Sequence, residues 1–271
     1  MLAWAFYIMK IVNLVEDTSN SNFIPVHGLS FYIETKTHKI LFDLGPDDTL
    51  FKNAEIKSVD LTAIDTVIIS HGHYDHGGAL KEFLDINTNA KIYIQKNAFE
   101  KYYSIVEGIS KYVGIDETLK DNSRIMLLEG NIKVDDELYI FVSRRNDKFK
   151  SEANNTLYSA FGLDNFKHEQ NLLISEDFNV LIVGCGHSGI TNILGSIDIK
   201  PDYCIGGFHV YNPSTKKTVP ISQLEQLSNE LKDYSTTKFY TCHCTGIDAY
   251  KYLNSKCNNI QYISCGEELS L

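Results

Sequence analysis

Apolar residues along this chain fall in short bursts whose period changes repeatedly between that of a strand and that of a helix. Residues 9–15 read as an opening strand, and 31–34 with 39–43 as a hairpin joined across 35–38. Residues 66–70 form a buried strand. Beyond Gly77 and Gly78, the residues Ala79, Leu80, Phe83 and Leu84 recur at helical spacing. A strand at 91–95 is followed by a predicted helix at 98–104. The stretch 105–170 is less regular, with strand-like pieces at 125–128 and 138–142 and a polar loop or flap at 143–156. Regularity returns with a hairpin of 171–175 and 179–183, a helix over 189–199 and a strand at 203–206. Ile221, Leu224, Leu227 and Leu231 mark an amphipathic helix, followed by a strand at 238–241, a helix at 248–254 and a strand at 260–263.

A strand-rich run followed by helix occurs twice. That rhythm suits an α/β (α+β) protein in which two sheets pack face to face with helices outside. No Pro- or Ser-rich linker divides the chain, so a single domain over 1–271 is expected. Residues 1–8 are apolar but lack a basic start and a cleavage site, and are too short to span a membrane. They read as an extension ahead of the first strand.

At 271 residues, with 43% apolar and 22% charged, the chain can bury a sizeable core. A net charge of −10 opposes binding to nucleic acid through phosphates. The only arginines are Arg124, Arg144 and Arg145, which leaves few places for bidentate phosphate recognition. The cysteines, Cys185, Cys204, Cys242, Cys244, Cys257 and Cys265, form no Cys-x-x-Cys pair and read as reduced thiols of a cytoplasmic protein.

The chemistry concentrates after the strand at 66–70. His71, His73, Asp75 and His76 lie within six residues and end in a glycine pair. Neutral imidazole and ionised carboxylate suit Zn²⁺, Fe²⁺ and Mn²⁺. His71 and His73, two apart in an extended segment, point the same way, while Asp75 and His76 follow where the chain turns and aim at a second point. Gly184-Cys-Gly-His-Ser-Gly189 ends a strand and opens a helix, placing His187 at a close-approach turn, and His243 again stands at a strand end. If that last segment is extended, alternation points Cys242 and Cys244 away from His243, as packing or supporting groups and not as ligands.

His71-Gly-His-Tyr-Asp-His76 resembles the signature of the metallo-β-lactamase superfamily. The resemblance implies an αββα sandwich of two mixed sheets. It assigns His71 and His73 to one metal and Asp75 with His76 to a second, and it calls for further ligands at His187 and His243. It also implies a bridging aspartate after the strand at 203–206, where Gly207 stands instead. His209, close by, either ligates in that aspartate's place or faces the substrate as acid or anion binder. Without the bridge a mononuclear enzyme is also credible. Asp43 resembles the family's Asp-x-Gly element, expected to orient the metal ligands from behind, although a plain turn-forming aspartate reads the same way. His27 is expected near the site mouth, whereas His38 and His168 carry no signal.

One or two Zn²⁺ ions, or Fe²⁺ or Mn²⁺, would lower the pKa of water to near ~7 and polarise a carbonyl or phosphoryl oxygen. Asp75 would ligate and accept the proton. Hydrolysis of a small ester, lactone or phosphoester is the expected reaction, with a small-molecule substrate and neither nucleic acid nor membrane as partner. The elements His27-Gly-Leu-Ser30, 184–189, Gly206-Gly-Phe-His209 and Cys242-His-Cys-Thr-Gly246 are similar to one subgroup of the superfamily. That subgroup is named for 7,8-dihydropterin-6-methyl-4-(β-D-ribofuranosyl)-aminobenzene-5′-phosphate synthase. The resemblance implies a pterin-like or phosphorylated reactant as an alternative, its phosphate within reach of Arg144, Arg145, Lys148 or Lys150 if that loop is not simply solvated. A mononuclear iron oxidoreductase is a further alternative.

Overall fold

The computed structural model describes residues 8–271. The expected extension therefore lies outside the described residues except for Ile8, whose side chain is exposed.

Two seven-stranded sheets carry the fold. In the first, the strands run in the order Glu268–Ser270, Lys10–Val15, Ser30–Glu34, Lys39–Phe42, Thr66–Ile68, Lys91–Gln95 and Ile125–Leu128. In the second the order is Ile260–Tyr262, Lys238–Thr241, Tyr203–Gly206, Asn179–Ile182, Asn171–Ser175, Leu138–Phe141 and Ile132–Lys133. Both sheets are mixed, antiparallel where hairpins join the strands and parallel where helices cross over.

Most of these strands read as continuous apolar runs because each face is covered. Alternate residues go opposite ways. Ile11, Phe31, Ile40, Phe42 and Ile68 meet Ile140, Leu172, Ile182 and Ile205 between the sheets. Val12, Leu14, Leu41 and Val67 face outward onto Leu50, Ala54, Leu80 and Phe83. On the far side, Leu181, Cys204 and Phe239 pack against Ile190, Ile193, Leu224, Leu227 and Leu253. The result is the expected four-layer αββα sandwich.

Two local expectations fail. The helix predicted over 98–104 is a 3₁₀ turn, Lys96–Phe99, followed by a strand, Tyr102–Val106. The sequence Tyr-Tyr-Ser-Ile-Val favours a pleated surface, and Glu107 and Gly108, both at positive φ (51° and 80°), make a two-residue hairpin turn into Ile109–Tyr112. With Leu157–Ser159 and Gly162–Leu163 these strands form a separate four-stranded sheet. The helix predicted over 189–199 is confined to Ile190–Leu194, where Gly195 caps it. The irregular stretch 143–156 is pinned down by the fully buried Phe149, and Glu152–Thr156 forms a 3₁₀ turn. Among the described residues no helix is long and apolar enough to cross a membrane.

Candidate metal centre

The centre lies where strand ends of both large sheets approach one another. The strand Thr66–Ile68 delivers His71 fully buried, and His73 caps the short helix Tyr74–Gly77, which carries Asp75 and His76. Gly72 between the first two histidines is obligatory, since a Cβ there would stand 2.3 Å from the Ala98 carbonyl oxygen.

The donor atoms of His71, His73 and His187 all lie within 4.8 Å of one another. His71 Nε2 and His187 Nε2 are 3.3 Å apart, while their Nδ1 atoms face Ser70 Oγ at 2.9 Å and Asn154 Oδ1 at 2.9 Å. The turn that aims His187 is held by Glu169, whose carboxylate accepts the backbone N–H of His187 (2.6 Å) and of Ser188 (2.8 Å). Phe166 stacks flat on the His187 ring at 4.3 Å. Burial and the neighbouring imidazoles hold His71 and His187 well below the ordinary histidine range, and burial brings His73 down to about 3. These rings are neutral at physiological pH, as metal ligands must be.

A second convergence surrounds Asp75. Its Oδ2 lies 3.5 Å from His27 Nε2, 3.5 Å from His76 Nε2 and 3.4 Å from His243 Nε2. The outer nitrogen of each imidazole rests on a carboxylate. His76 Nδ1 meets Asp43 Oδ2 at 2.7 Å, and His243 Nδ1 meets Asp17 Oδ1 at 2.6 Å. His27 Nδ1 meets Asp17 Oδ2 at 2.8 Å. This carboxylate–histidine pairing turns each Nε2 inward, toward Asp75. Burial alone would raise the Asp75 carboxyl, but His76, His243 and His27 outweigh it and keep it well below the usual carboxylate range. Burial opposes charge on His76 and His243, yet Asp43 and Asp75 raise the first, and Asp17 raises the second.

These distances fit a metal. Ligand atoms bound to one ion at about 2.0–2.2 Å with tetrahedral angles stand roughly 3.3–3.6 Å apart, which is the separation around Asp75 and between His71 and His187. In addition, His73 Nε2 and both ring nitrogens of His209 are buried with no hydrogen-bond partner, a costly arrangement unless something coordinates them.

Asp43 is fully buried at φ 62° and accepts from the Ser70 N–H (2.6 Å), the Ser70 hydroxyl (2.7 Å) and His76. Its carboxylate thus joins the turn after Phe42 to Ser70 and His76. His27, expected at the mouth, reaches Asp75 itself. His168, which carried no signal, accepts the Gly72 N–H at 2.9 Å and is braced by Asp164. The sequence reading missed Asp17 and Glu169 altogether. Both are loop carboxylates, and only the tertiary structure brings them to their histidines.

The expectation for Cys244 is corrected. His243 takes φ 50° and opens a 3₁₀ turn, His243–Thr245, which breaks the alternation. Cys242 enters the core between the sheets, but Cys244 turns inward beside Cys185 and His209. Gly207, in the place of the awaited aspartate, leaves room for that sulfur: a Cβ would stand 2.5 Å from Cys244 Sγ.

A cavity of about 500 Å³ opens over the centre, with His73, Asp75, His187 and His243 at its floor. The small sheet supplies its wall through Val106, Ile109, Lys111 and Leu157. Arg144 and Arg145 are not in it. They border a neighbouring depression with Lys150 and Lys167, and Arg145 pairs with Asp147 at 3.1 Å.

Residues 24–193 match the model of the family described as the metallo-beta-lactamase superfamily. The chain is 28% identical to an uncharacterized protein of Methanocaldococcus jannaschii over 95% of its own length and 98% of that protein's. It is also 28% identical to 7,8-dihydropterin-6-methyl-4-(beta-D-ribofuranosyl)-aminobenzene-5'-phosphate synthase of the same organism, covering 89% of each. Among solved structures it is similar to Tm1679, a metal-dependent hydrolase of the beta-lactamase superfamily. The TM-score is 0.80 at 26% identity, over 97% of this chain and 99% of the other.

Proposed function

The chain belongs to the metallo-beta-lactamase superfamily, and from that premise we propose that it is a metal-dependent hydrolase of a small ester, lactone or phosphoester. The observation that carries this reading is the convergence of three imidazole nitrogens on Asp75 Oδ2, beside the His71–His73–His187 group and beneath an open cavity. In this proposal His71, His73 and His187 hold one divalent ion, and Asp75, His76 and His243, joined by His27, hold a second. Zinc fits the imidazole-rich set, with iron or manganese as the other candidates. An ion held there supplies a Lewis acid and an activated water.

The chain's own residues do the rest. Asp75 stays ionised and lines the cavity, where its carboxylate also takes the proton. Among the described residues Lys111 is the one lysine on the cavity wall, its ammonium 5.1 Å from the Tyr74 ring centre, and it receives an anionic substituent of the substrate. Val106, Ile109 and Leu157 cover the apolar portion and exclude water. A reducing, cytoplasmic setting belongs to the same proposal, supported by six cysteines that are all free and buried.

The relative named as a pterin synthase favours a second reading, condensation of a pterin with a phosphorylated ribosyl-aminobenzene. Metal analysis together with turnover of aryl esters, lactones and phosphodiesters tests the first. Chelator-sensitive hydrolysis supports it, whereas pterin binding without any hydrolysis transfers the site to the second.

A further inference from the structure

Three further polar side chains, Cys185, His209 and Cys244, line the cavity beside the two groups around His71 and Asp75. Cys185 follows the strand Asn179–Ile182, His209 follows Tyr203–Gly206, and Cys244 follows Lys238–Thr241. These are three adjacent parallel strands, so their C-terminal ends bring the side chains together. The two sulfurs and a ring nitrogen lie within 4.8 Å of one another, and all three residues are buried.

Ordinary packing does not account for them. Cys204, Cys242 and Cys257 sit within apolar clusters, whereas Cys185 and Cys244 belong to none and face imidazoles. Cys185 Sγ is 3.2 Å from His76 Nε2, and it also groups with His71. His209 is held in the left-handed region at φ 46°, nearly fully buried, with neither ring nitrogen hydrogen-bonded. A non-glycine residue is rarely kept in that conformation without a compensating contact.

We propose that Cys185, Cys244 and His209 bind a thiophilic divalent metal ion, with Cys185 shared between this sulfur site and the imidazole centre. The side that lacks the aspartate is thus closed by sulfur. Two thiolates and one imidazole form a donor set suited to zinc and disfavoured for magnesium or manganese. Loading releases the two thiol protons to solvent. The inference rests on the metal-binding half of the proposed function and is independent of hydrolysis.

The test is a cobalt(II) titration of the full chain under reducing, anaerobic conditions, read by absorbance. The expected result is a near-ultraviolet thiolate-to-cobalt band, halved in Cys185→Ser and in Cys244→Ser and unchanged in Cys257→Ser. Cobalt uptake with ligand-field bands but no thiolate band overturns the sulfur site and leaves the imidazole centre standing. Failure to take up cobalt removes both. Should either serine variant misfold, X-ray absorption of the zinc-loaded parent decides: a sulfur shell at about 2.3 Å supports the site, and its absence overturns it.

Discussion

Asp17 and His243 are 226 residues apart in sequence, yet Asp17 Oδ1 lies 2.6 Å from His243 Nδ1. The other oxygen of the same carboxylate holds His27 at 2.8 Å. One loop carboxylate thus fixes the orientation of two of the imidazoles that point at Asp75.

Asp17→Asn removes the charge behind both rings while leaving their shape. Affinity for the ion at the Asp75 group is expected to fall about 10- to 100-fold, with the His71–His73–His187 group unchanged. Competition with a metal-binding dye, resolved into two affinities, checks this. Equal loss at both groups would show that Asp17 supports the fold and not one subsite.

Gly207→Ala places a methyl group 2.5 Å from Cys244 Sγ and 3.0 Å from the Gly184 carbonyl oxygen. The Cys244 side chain is buried, and the variant is expected to lose about 1–3 kcal/mol of stability. Urea denaturation of the metal-free protein measures it. An unchanged midpoint would mean that the Cys244 side chain simply rotates away.

His38 binds the two sheets to each other, with Nδ1 2.8 Å from Asp65 and Nε2 2.7 Å from Asp135. Burial lowers its pKa, but the two carboxylates outweigh that and raise it above the ordinary value. A raised folded-state value means stabilisation that is complete below the unfolded value and lost as pH rises through the folded one. His38→Gln should therefore destabilise more at pH 5 than at pH 8. The difference should stay under about 1 kcal/mol, because both carboxylates are substantially exposed and solvent screens the pair. Denaturation at the two pH values checks the sign.

Lys111→Ala is expected to raise KM for substrates carrying a carboxylate or phosphate about tenfold, with kcat nearly constant and neutral esters unaffected. That split follows from a charge that binds substrate equally before and during reaction. A fall in kcat with constant KM would assign Lys111 to the reacting atoms instead.

Most strands and helices were legible in the sequence as short apolar runs or helical spacing, whereas the helix Thr49–Lys57 and the strand Glu268–Ser270 were not. The tight cluster at His71, His73, Asp75 and His76 was legible because it is local in sequence. The small sheet was not, since Glu107-Gly108 is an unusual turn pair and the strand Ile109–Tyr112 lies exposed without an alternating face. Asp17, Glu169 and the inward turn of Cys244 depend on contacts between distant segments. A backbone angle at a single residue, His243, decides the last of these.

The strand Glu268–Ser270 lies on Lys10–Val15, with Lys10 opposite Ser270. During biosynthesis, Lys10–Val15 is thus made long before the segment that covers its outer edge. Until then its row of backbone N–H and C=O groups faces water, open to any extended segment nearby. Emergence of Glu268–Ser270 closes that edge with a short strand whose Glu268 carboxylate reaches Lys10 at 3.3 Å and Lys57 at 3.1 Å. The edge therefore stays open to such pairing until Glu268–Ser270 has been made and docked.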